Sequence, residues 1–203
     1  MQPVIFPKPP QVKSFLPEGK ADKVQNPPQN VRVPEIKPLP QYSPPASPNI
    51  QTDENAVQDL RNHKLLLPVE GIQVGNIRNS FYELRGDHIH EAVDILAPRD
   101  TSVVAVEDGK IAKLFYSVRG GNTIYHFDPT ETYCYYYAHL DRYAPDIREG
   151  QTIKRGQIIG YVGTSGNAPK DTPHLHFAIF KLNVDKKWWQ GTPIDPYPLL
   201  TNQ

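Results

Sequence analysis

Two short motifs of this chain carry side chains of the types that commonly bind metal ions in proteins. In HEAVD, His90 and Asp94 are four residues apart, so both side chains project from one face of a strand or of a helical turn. In HLHF, His174 and His176 share one face of a strand, while the leucine and the phenylalanine anchor the other. Imidazoles on an apolar strand are costly to bury unless their nitrogens find partners. A metal ion would be such a partner, because imidazole and carboxylate are normal zinc ligands.

Each motif alone has a simpler interpretation. A His/Asp pair at this spacing is more often a surface hydrogen bond, and the two histidines of HLH can be satisfied inside a core without a metal. The combination of the motifs favours a metal site. Three protein ligands and one open position describe a catalytic zinc centre, in which the metal activates water.

A third histidine, His139, ends the tyrosine-rich stretch YCYYYAHLD. Strict alternation along a strand predicts that His139 shares a face with Tyr137, Tyr135 and Tyr133. Cys134 then faces the other way, which argues against the thiol as a metal ligand. The tyrosine row is typical of sheet packing rather than of catalytic machinery.

Many short strands separated by glycine turns predict an all-β domain that forms an antiparallel sandwich or barrel. The segment SVVAVEDGKIAKLFYS predicts two strands joined in a hairpin at Asp108-Gly109. Further strands are expected near 123–127, at 132–138 and in HLHFAIF. Ahead of them, Glu54 to about Lys64 predicts a short helix with Thr52 or Asp53 as its N-cap.

The composition of the whole chain excludes several classes of function. Its 203 residues contain 22 basic and 22 acidic side chains, so no net charge favours nucleic acid or a membrane surface. The single cysteine excludes an intramolecular disulfide and a multi-cysteine metal site. No apolar run approaches the roughly 20 residues of a membrane span. The first residues also lack a secretory signal, so we expect either no export or an anchor upstream of this start.

Proline divides the chain in two. Of its 22 prolines, 13 lie between Pro3 and Pro48 among polar residues. Such a stretch cannot bury enough apolar surface to offset the entropy of ordering it. We therefore expect residues 1–50 to be a disordered tether with polyproline II character, 51–65 a short helical connector and 66–203 the catalytic domain. A tail without function, or a ligand for a proline-binding module, are the alternatives for the first segment.

The order of HEAVD, YAHL and HLHF, with EGQTIKRGQIIGYVGTSG between the last two, resembles the lysostaphin-type, LytM-like zinc endopeptidases of the M23 group. The resemblance covers about residues 66–181. It also includes DILAPRDTSVVAVEDGKI and GYVGTSGNAPKDTPHLHF. The closing WWQGTPIDPYP is similar to a Gram-negative-type branch of the group.

The resemblance implies a fold of the duplicated hybrid motif type and assigns roles to five residues. His90, Asp94 and His176 match the zinc ligands. His139 and His174 match two further active-site histidines, which would deprotonate water and stabilise charge on the carbonyl oxygen. Two features fall outside this assignment. Ala92 stands where the group usually has glycine. The histidines at 88 and 126 have no assigned role and are expected at the surface or behind the site.

The implied function is hydrolysis of peptide cross-links in bacterial peptidoglycan, with stem peptides as partners and the periplasm or cell envelope as location. The proline-rich spacer, and the end of the chain soon after WWQGTPIDPYP, favour the D-alanyl link over a glycine bridge. Three alternatives remain open. They are a metal-free activator of other wall hydrolases, a phosphocarrier domain of related fold, and a binding module with a closed structural zinc.

Overall fold

The computed structural model describes residues 53–86 and 88–202. The proline-rich segment 1–50, predicted to be a tether, lies outside these residues. The helices are α1 (Glu54–His63) and α2 (Tyr197–Thr201), with a 3₁₀ turn at Val74–Asn76. The strands are β1 (Ile77–Arg78), β2 (Leu84–Arg85), β3 (His88–Ile89), β4 (Val93–Leu96), β5 (Ser102–Val104), β6 (Gly109–Ser117), β7 (Gly121–Phe127), β8 (Tyr133–Tyr143), β9 (Thr152–Ile153), β10 (Ile158–Val162), β11 (His174–Leu182) and β12 (Gly191–Ile194).

Ten of the strands form one antiparallel sheet. The order β1-β4-β11-β8-β7-β6-β9 runs across it, β10 pairs with β5 and β8, and β12 extends the edge of β11. Strands β2 and β3 form a separate ribbon. The prediction of an all-β antiparallel domain is confirmed. Both helices in the described residues are short, and none is long and apolar enough to cross a bilayer.

Helix α1 forms where the sequence predicts it. The carboxylate of Asp53 caps the helix by accepting a hydrogen bond from the backbone N–H of Ala56 at 3.0 Å. The helix ends at Lys64, which adopts the left-handed conformation. Ala56 and Leu60, four residues apart, are both buried in the main core. The helix therefore packs on the sheet by one narrow apolar stripe.

The three tyrosines of β8 at 133, 135 and 137 belong to the core, as predicted. Tyr135 and Tyr137 are fully buried and pack against Phe177 of β11. Their hydroxyl groups still find partners, because Tyr135 donates to Glu107 and Tyr137 accepts from the backbone N–H of Val106 at 3.2 Å. Burial raises the pKa of both phenols above the usual range, so both stay neutral.

The predicted hairpin at Asp108-Gly109 is wrong. Strand β5 pairs with β10, whereas β6 pairs with β7 and β9. Gly109 is required for a different reason. A Cβ atom there would lie 2.1 Å from the carbonyl oxygen of Phe127 and 2.4 Å from Nε2 of His126. The Asp-Gly pair marks a close approach of two backbones rather than a two-residue turn.

His126 lies in the core, which corrects the expectation of a surface position or one behind the active site. It is fully buried, its Nδ1 is 3.3 Å from the Tyr137 hydroxyl, and within the described part of the chain its Nε2 has no hydrogen-bond partner. Burial lowers the pKa of His126 to about 4. The pKa of a histidine in an unfolded chain is about 6.5. Between pH 6.5 and pH 4 the unfolded state therefore binds more protons than the folded state, and the folded state loses stability as the pH falls.

We expect this single histidine to lower the free energy of unfolding by about 3 kcal/mol as the pH falls from 7 to 4. Glutamine does not titrate, so His126→Gln should lose that part of the pH dependence, although the variant is less stable at neutral pH. Urea unfolding of both proteins across this range measures the difference. Two parallel curves of stability against pH would show that His126 does not titrate with unfolding.

Candidate metal centre

A row of four residues runs across the sheet on one face. The antiparallel register pairs Arg78 of β1 with Asp94 of β4, Asp94 with His176 of β11, and His176 with Ala138 of β8. Residues that are paired directly across neighbouring strands point to the same side, with Cβ atoms about 5 Å apart. The sheet alone therefore places Asp94 and His176 side by side.

His90 reaches the same place from outside the strand. It precedes β4, in a turn where Glu91 has a positive φ of 52°. The turn is held by two backbone hydrogen bonds, in which His90 donates to Glu83 at 2.9 Å and Glu91 donates to Phe81 at 2.9 Å. The spacing in HEAVD thus brings the two side chains together through a folded turn rather than a continuous strand.

The ligand atoms of His90, Asp94 and His176 form a small triangle. Nε2 of His90 lies 2.9 Å from Nδ1 of His176 and 3.2 Å from Oδ1 of Asp94. Nδ1 of His176 lies 3.4 Å from the same oxygen. Zinc bonds of about 2.0–2.1 Å in tetrahedral geometry separate two ligands by roughly 3.3 Å. The triangle is therefore of the size that a zinc ion requires.

The protonation states also suit a cation. Nδ1 of His90 lies 3.2 Å from the carbonyl oxygen of Ser80 and 3.1 Å from its hydroxyl, so Ser80 provides an acceptor for a proton on this nitrogen. With the proton on Nδ1, Nε2 of His90 has a lone pair, and it faces Nδ1 of His176. Oδ1 of Asp94 is buried and receives no hydrogen bond of good geometry from the residues that the structure describes. Nε2 of His90, Nδ1 of His176 and Oδ1 of Asp94 converge here, and a bound cation would be a common partner for all three once neither imidazole nitrogen carries a proton.

Asp94 is held as a carboxylate by its neighbours. Burial opposes its ionisation, but the imidazoles of His176 and His90 hold the pKa of Asp94 well below its usual value. Its other oxygen, Oδ2, accepts a hydrogen bond from Nη2 of Arg85 at 2.6 Å. Arg85 also donates to Glu83 at 3.0 Å. One oxygen of Asp94 is thus fixed by the guanidinium and the other is left for a metal.

His139 does not lie on the face that strict alternation predicts. The register between β7 and β8 shifts between the pairs Asn122–Leu140 and Ile124–Tyr137, and His139 itself has a positive φ of 60°. This bulge turns His139 away from the tyrosine row and toward the metal face. Its ring centroid lies 4.9 Å from that of His174 and 5.6 Å from that of His176.

His139 and His174 have matching environments. Nδ1 of His139 lies 2.9 Å from the carbonyl oxygen of Ser165, and Nδ1 of His174 lies 2.9 Å from that of Thr172. Each Nδ1 therefore carries a proton, and each Nε2 is free to accept one. Both side chains are buried. Burial, with the nearby His176 and His174, lowers the pKa of His139 to about 4, so its ring is a neutral base.

Two clefts open beside this group. A polar cleft of about 360 Å³ is lined by Arg78, Arg85, Asp94, His139 and His174, among others. An aromatic cleft of about 310 Å³ lies next to His176. Its lining includes Tyr136, whose ring meets that of His176 at a centroid distance of 5.9 Å, and the two tryptophans Trp188 and Trp189.

The remaining candidates lie away from this group. His88 is exposed on β3, as expected. Cys134 is buried with Phe127 and Leu182, and burial raises the pKa of its thiol. Cys134 pairs with Phe180, four residues beyond His176, which is roughly 13 Å along the strand. Cys134 faces away from the tyrosine row, as predicted. Contrary to the prediction, it lies on the same face as His139, because the bulge turns His139 onto that face.

Sequence reasoning missed four residues around the site. Arg85 and Ser80 hold the side chains of Asp94 and His90, while Glu83 ties Arg85 to Arg78. No short spacing links these residues to the histidine motifs. Only the pairing of β1 with β4 and the folded turn before β4 bring them close.

The chain is similar to known peptidases. The sequence model of peptidase family M23 matches residues 88–196. An L-Ala–D-Glu endopeptidase of Bacillus subtilis is 35% identical over 150 residues, which are 70% of this chain and 44% of the relative. The peptidoglycan DD-endopeptidase ShyC of Vibrio cholerae is 33% identical over 97 residues, which are 48% of this chain and 21% of the relative. The chain thus spans less than half the length of either relative.

A solved structure shows the same fold. The catalytic domain of the antimicrobial peptidase lysostaphin from Staphylococcus simulans superposes with a TM-score of 0.50 at 29% identity. The match covers 70% of this chain and 94% of that domain.

Proposed function

The chain belongs to peptidase family M23, and we propose that it is a zinc-dependent endopeptidase that hydrolyses peptide cross-links of bacterial peptidoglycan. The observation that carries the proposal is the triangle formed by His90, Asp94 and His176. These residues would hold the metal, with one position left open for substrate and water. The name of the Vibrio cholerae relative supports peptidoglycan as the substrate, and a peptidoglycan substrate would place the protein in the cell envelope.

A bound Zn²⁺ would act as a Lewis acid that polarises a carbonyl oxygen and lowers the pKa of water toward about 7. The chain's own residues supply the proton transfers. Nε2 of His139 or of His174 accepts the proton of the attacking water and then returns it to the leaving amine. The carbonyl oxygens of Ser165 and Thr172 fix the two rings in the required tautomer. No residue needs to form a covalent bond to the substrate.

The geometry favours the enzyme over the metal-free activator that the resemblance left open. All five positions that the family uses carry histidine or aspartate, and the three ligand atoms lie within 3.4 Å of one another. The orienting partners of the histidines and of Asp94 are also in place. An activator that has given up the metal has no need for either set of residues.

Digestion of purified cell-wall sacculi tests the proposal. The zinc-loaded full chain should convert cross-linked muropeptide dimers to monomers, with one new free amine for each bond cut and with the glycan bonds intact. Mass spectrometry of the products identifies the new ends, and removal of zinc with a chelator should abolish the release. If the zinc-loaded protein alone releases no muropeptide monomers but stimulates another wall hydrolase, the protein is an activator and the proposal of an endopeptidase is wrong.

A further inference from the structure

Arg78 stands beside the metal group without taking part in it. It lies on β1 directly opposite Asp94, and its side chain therefore projects from the same face of the sheet. It lines the polar cleft that also contains His139 and His174. A third of its side-chain surface is exposed, so a ligand in the cleft can reach it.

The hydrogen bonds of Arg78 are incomplete. Its Nη2 donates to Oε1 of Glu83 at 2.6 Å, but its buried Nε has no hydrogen-bond partner among the described residues. Arg85 differs, because its Nη2 is shared between Asp94 and Glu83 and is committed to holding the carboxylate of Asp94. A buried N–H without an acceptor costs free energy. Arg78 therefore has a donor that no group in residues 53–86 and 88–202 uses.

The net charge around the polar cleft would attract an anion. Arg78 and Arg85 are balanced by Glu83 and Asp94, so a bound Zn²⁺ leaves this group with a net charge of +2. No other acidic side chain lines the cleft among the described residues. The rest of its lining is Leu96, His139, Asn167, Ala168, Pro169, Thr172 and His174. A guanidinium presents a planar fork of donors that matches a carboxylate.

We propose that Arg78 binds a carboxylate of the substrate peptide, next to the bond that is cut. This inference rests on the proposed function and specifies its substrate class. Stem peptides of the wall carry free carboxylates, whereas an all-glycine bridge carries none. The polar cleft thus selects a stem-peptide cross-link, and Arg78 is the residue that determines this specificity.

The test compares two synthetic cross-linked stem peptides that differ only at the carboxylate next to the scissile bond, which is free in one and amidated in the other. With the zinc-loaded full chain, kcat/KM should be about 10- to 100-fold higher for the free acid, the range expected for a hydrogen bond to a charged group. The difference should lie mainly in KM. In Arg78→Gln the ratio should fall toward 1, and in Arg78→Lys it should be intermediate, because an ammonium keeps the charge without the fork.

Arg148→Gln is the matched control. Arg148 is exposed on the loop between β8 and β9, so this variant loses the same charge and should keep the preference for the acid. Zinc content is measured for every variant. If Arg78→Gln slows both peptides equally, or loses its zinc, Arg78 serves the metal site and the proposal is overturned.

Failure of the inference can be told from failure of the proposed function. Equal cleavage of acid and amide by the unmodified protein overturns the role of Arg78 and leaves the endopeptidase standing. If neither peptide is cut, calorimetric binding of both peptides to the zinc-loaded chain decides. Tighter binding of the acid, lost in Arg78→Gln, upholds the carboxylate site although the enzyme fails, and equal binding overturns it.

Discussion

Replacing His176 with alanine is expected to remove most of the zinc from the purified protein and the peptidase activity with it. Structural sites with four ligands bind Zn²⁺ with apparent free energies of about 10–16 kcal/mol, so one ligand is worth about 3 kcal/mol, or roughly a 10²- to 10³-fold change in affinity. His176 is central to the triangle, because its Nδ1 lies within 3.4 Å of both other ligand atoms. Metal analysis after dialysis, together with muropeptide release, measures both losses.

The same result is expected for His90→Ala and Asp94→Ala, since each leaves only two ligands. His63→Ala is the matched control. His63 is a half-buried histidine at the end of α1 that pairs with Glu107 at 3.1 Å, and its loss should leave zinc and activity in place. Full zinc occupancy in folded His176→Ala would exclude His176 as a ligand and would leave His174 and His139 as the candidates for the third ligand.

Local patterns in the sequence were enough to predict much of this arrangement. Glycine turns and alternating strands indicated an antiparallel all-β domain, and the Asp53 cap indicated helix α1. The spacing within HEAVD and HLHF singled out His90, Asp94, His174 and His176 as candidates, whereas the choice of His176 as the third ligand came from the resemblance to the M23 group. Their roles as ligands stay predictions until metal is measured.

The errors share one physical cause, which is that strand partners and bulges are set by tertiary packing. Gly109 looked like a hairpin turn, but its nearest neighbour is the backbone of β7, which no local pattern specifies. His139 was assigned to the wrong face because a single residue with positive φ reverses the alternation. Arg78 was overlooked because its place beside Asp94 depends on the pairing of β1 with β4.

Replacing His139 or His174 with alanine is expected to leave the zinc in place and to lower kcat by about 10²- to 10⁴-fold, the usual contribution of a general acid–base. Both rings hold their Nδ1 proton on a backbone carbonyl, so neither needs a metal to satisfy it. Their remaining nitrogens face the polar cleft shared with Asp94, where a water and a leaving amine would lie. Zinc content and steady-state kinetics on one cross-linked peptide separate the two effects.

The comparison of the two variants carries further information about the proton transfers. If the two histidines act as one unit in the proton transfers, the double variant His139→Ala/His174→Ala should lose less than the product of the two single losses, because the effects of such residues are not additive. If one takes the proton and the other independently stabilises charge, the two losses should multiply. Asparagine at either position keeps a donor but no titrating base, so it should restore part of a charge-stabilising role and none of a proton-transfer role. A folded His139→Ala or His174→Ala that has lost its zinc would instead show that the residue is a fourth ligand, and the centre would be a closed structural site without an open position for water.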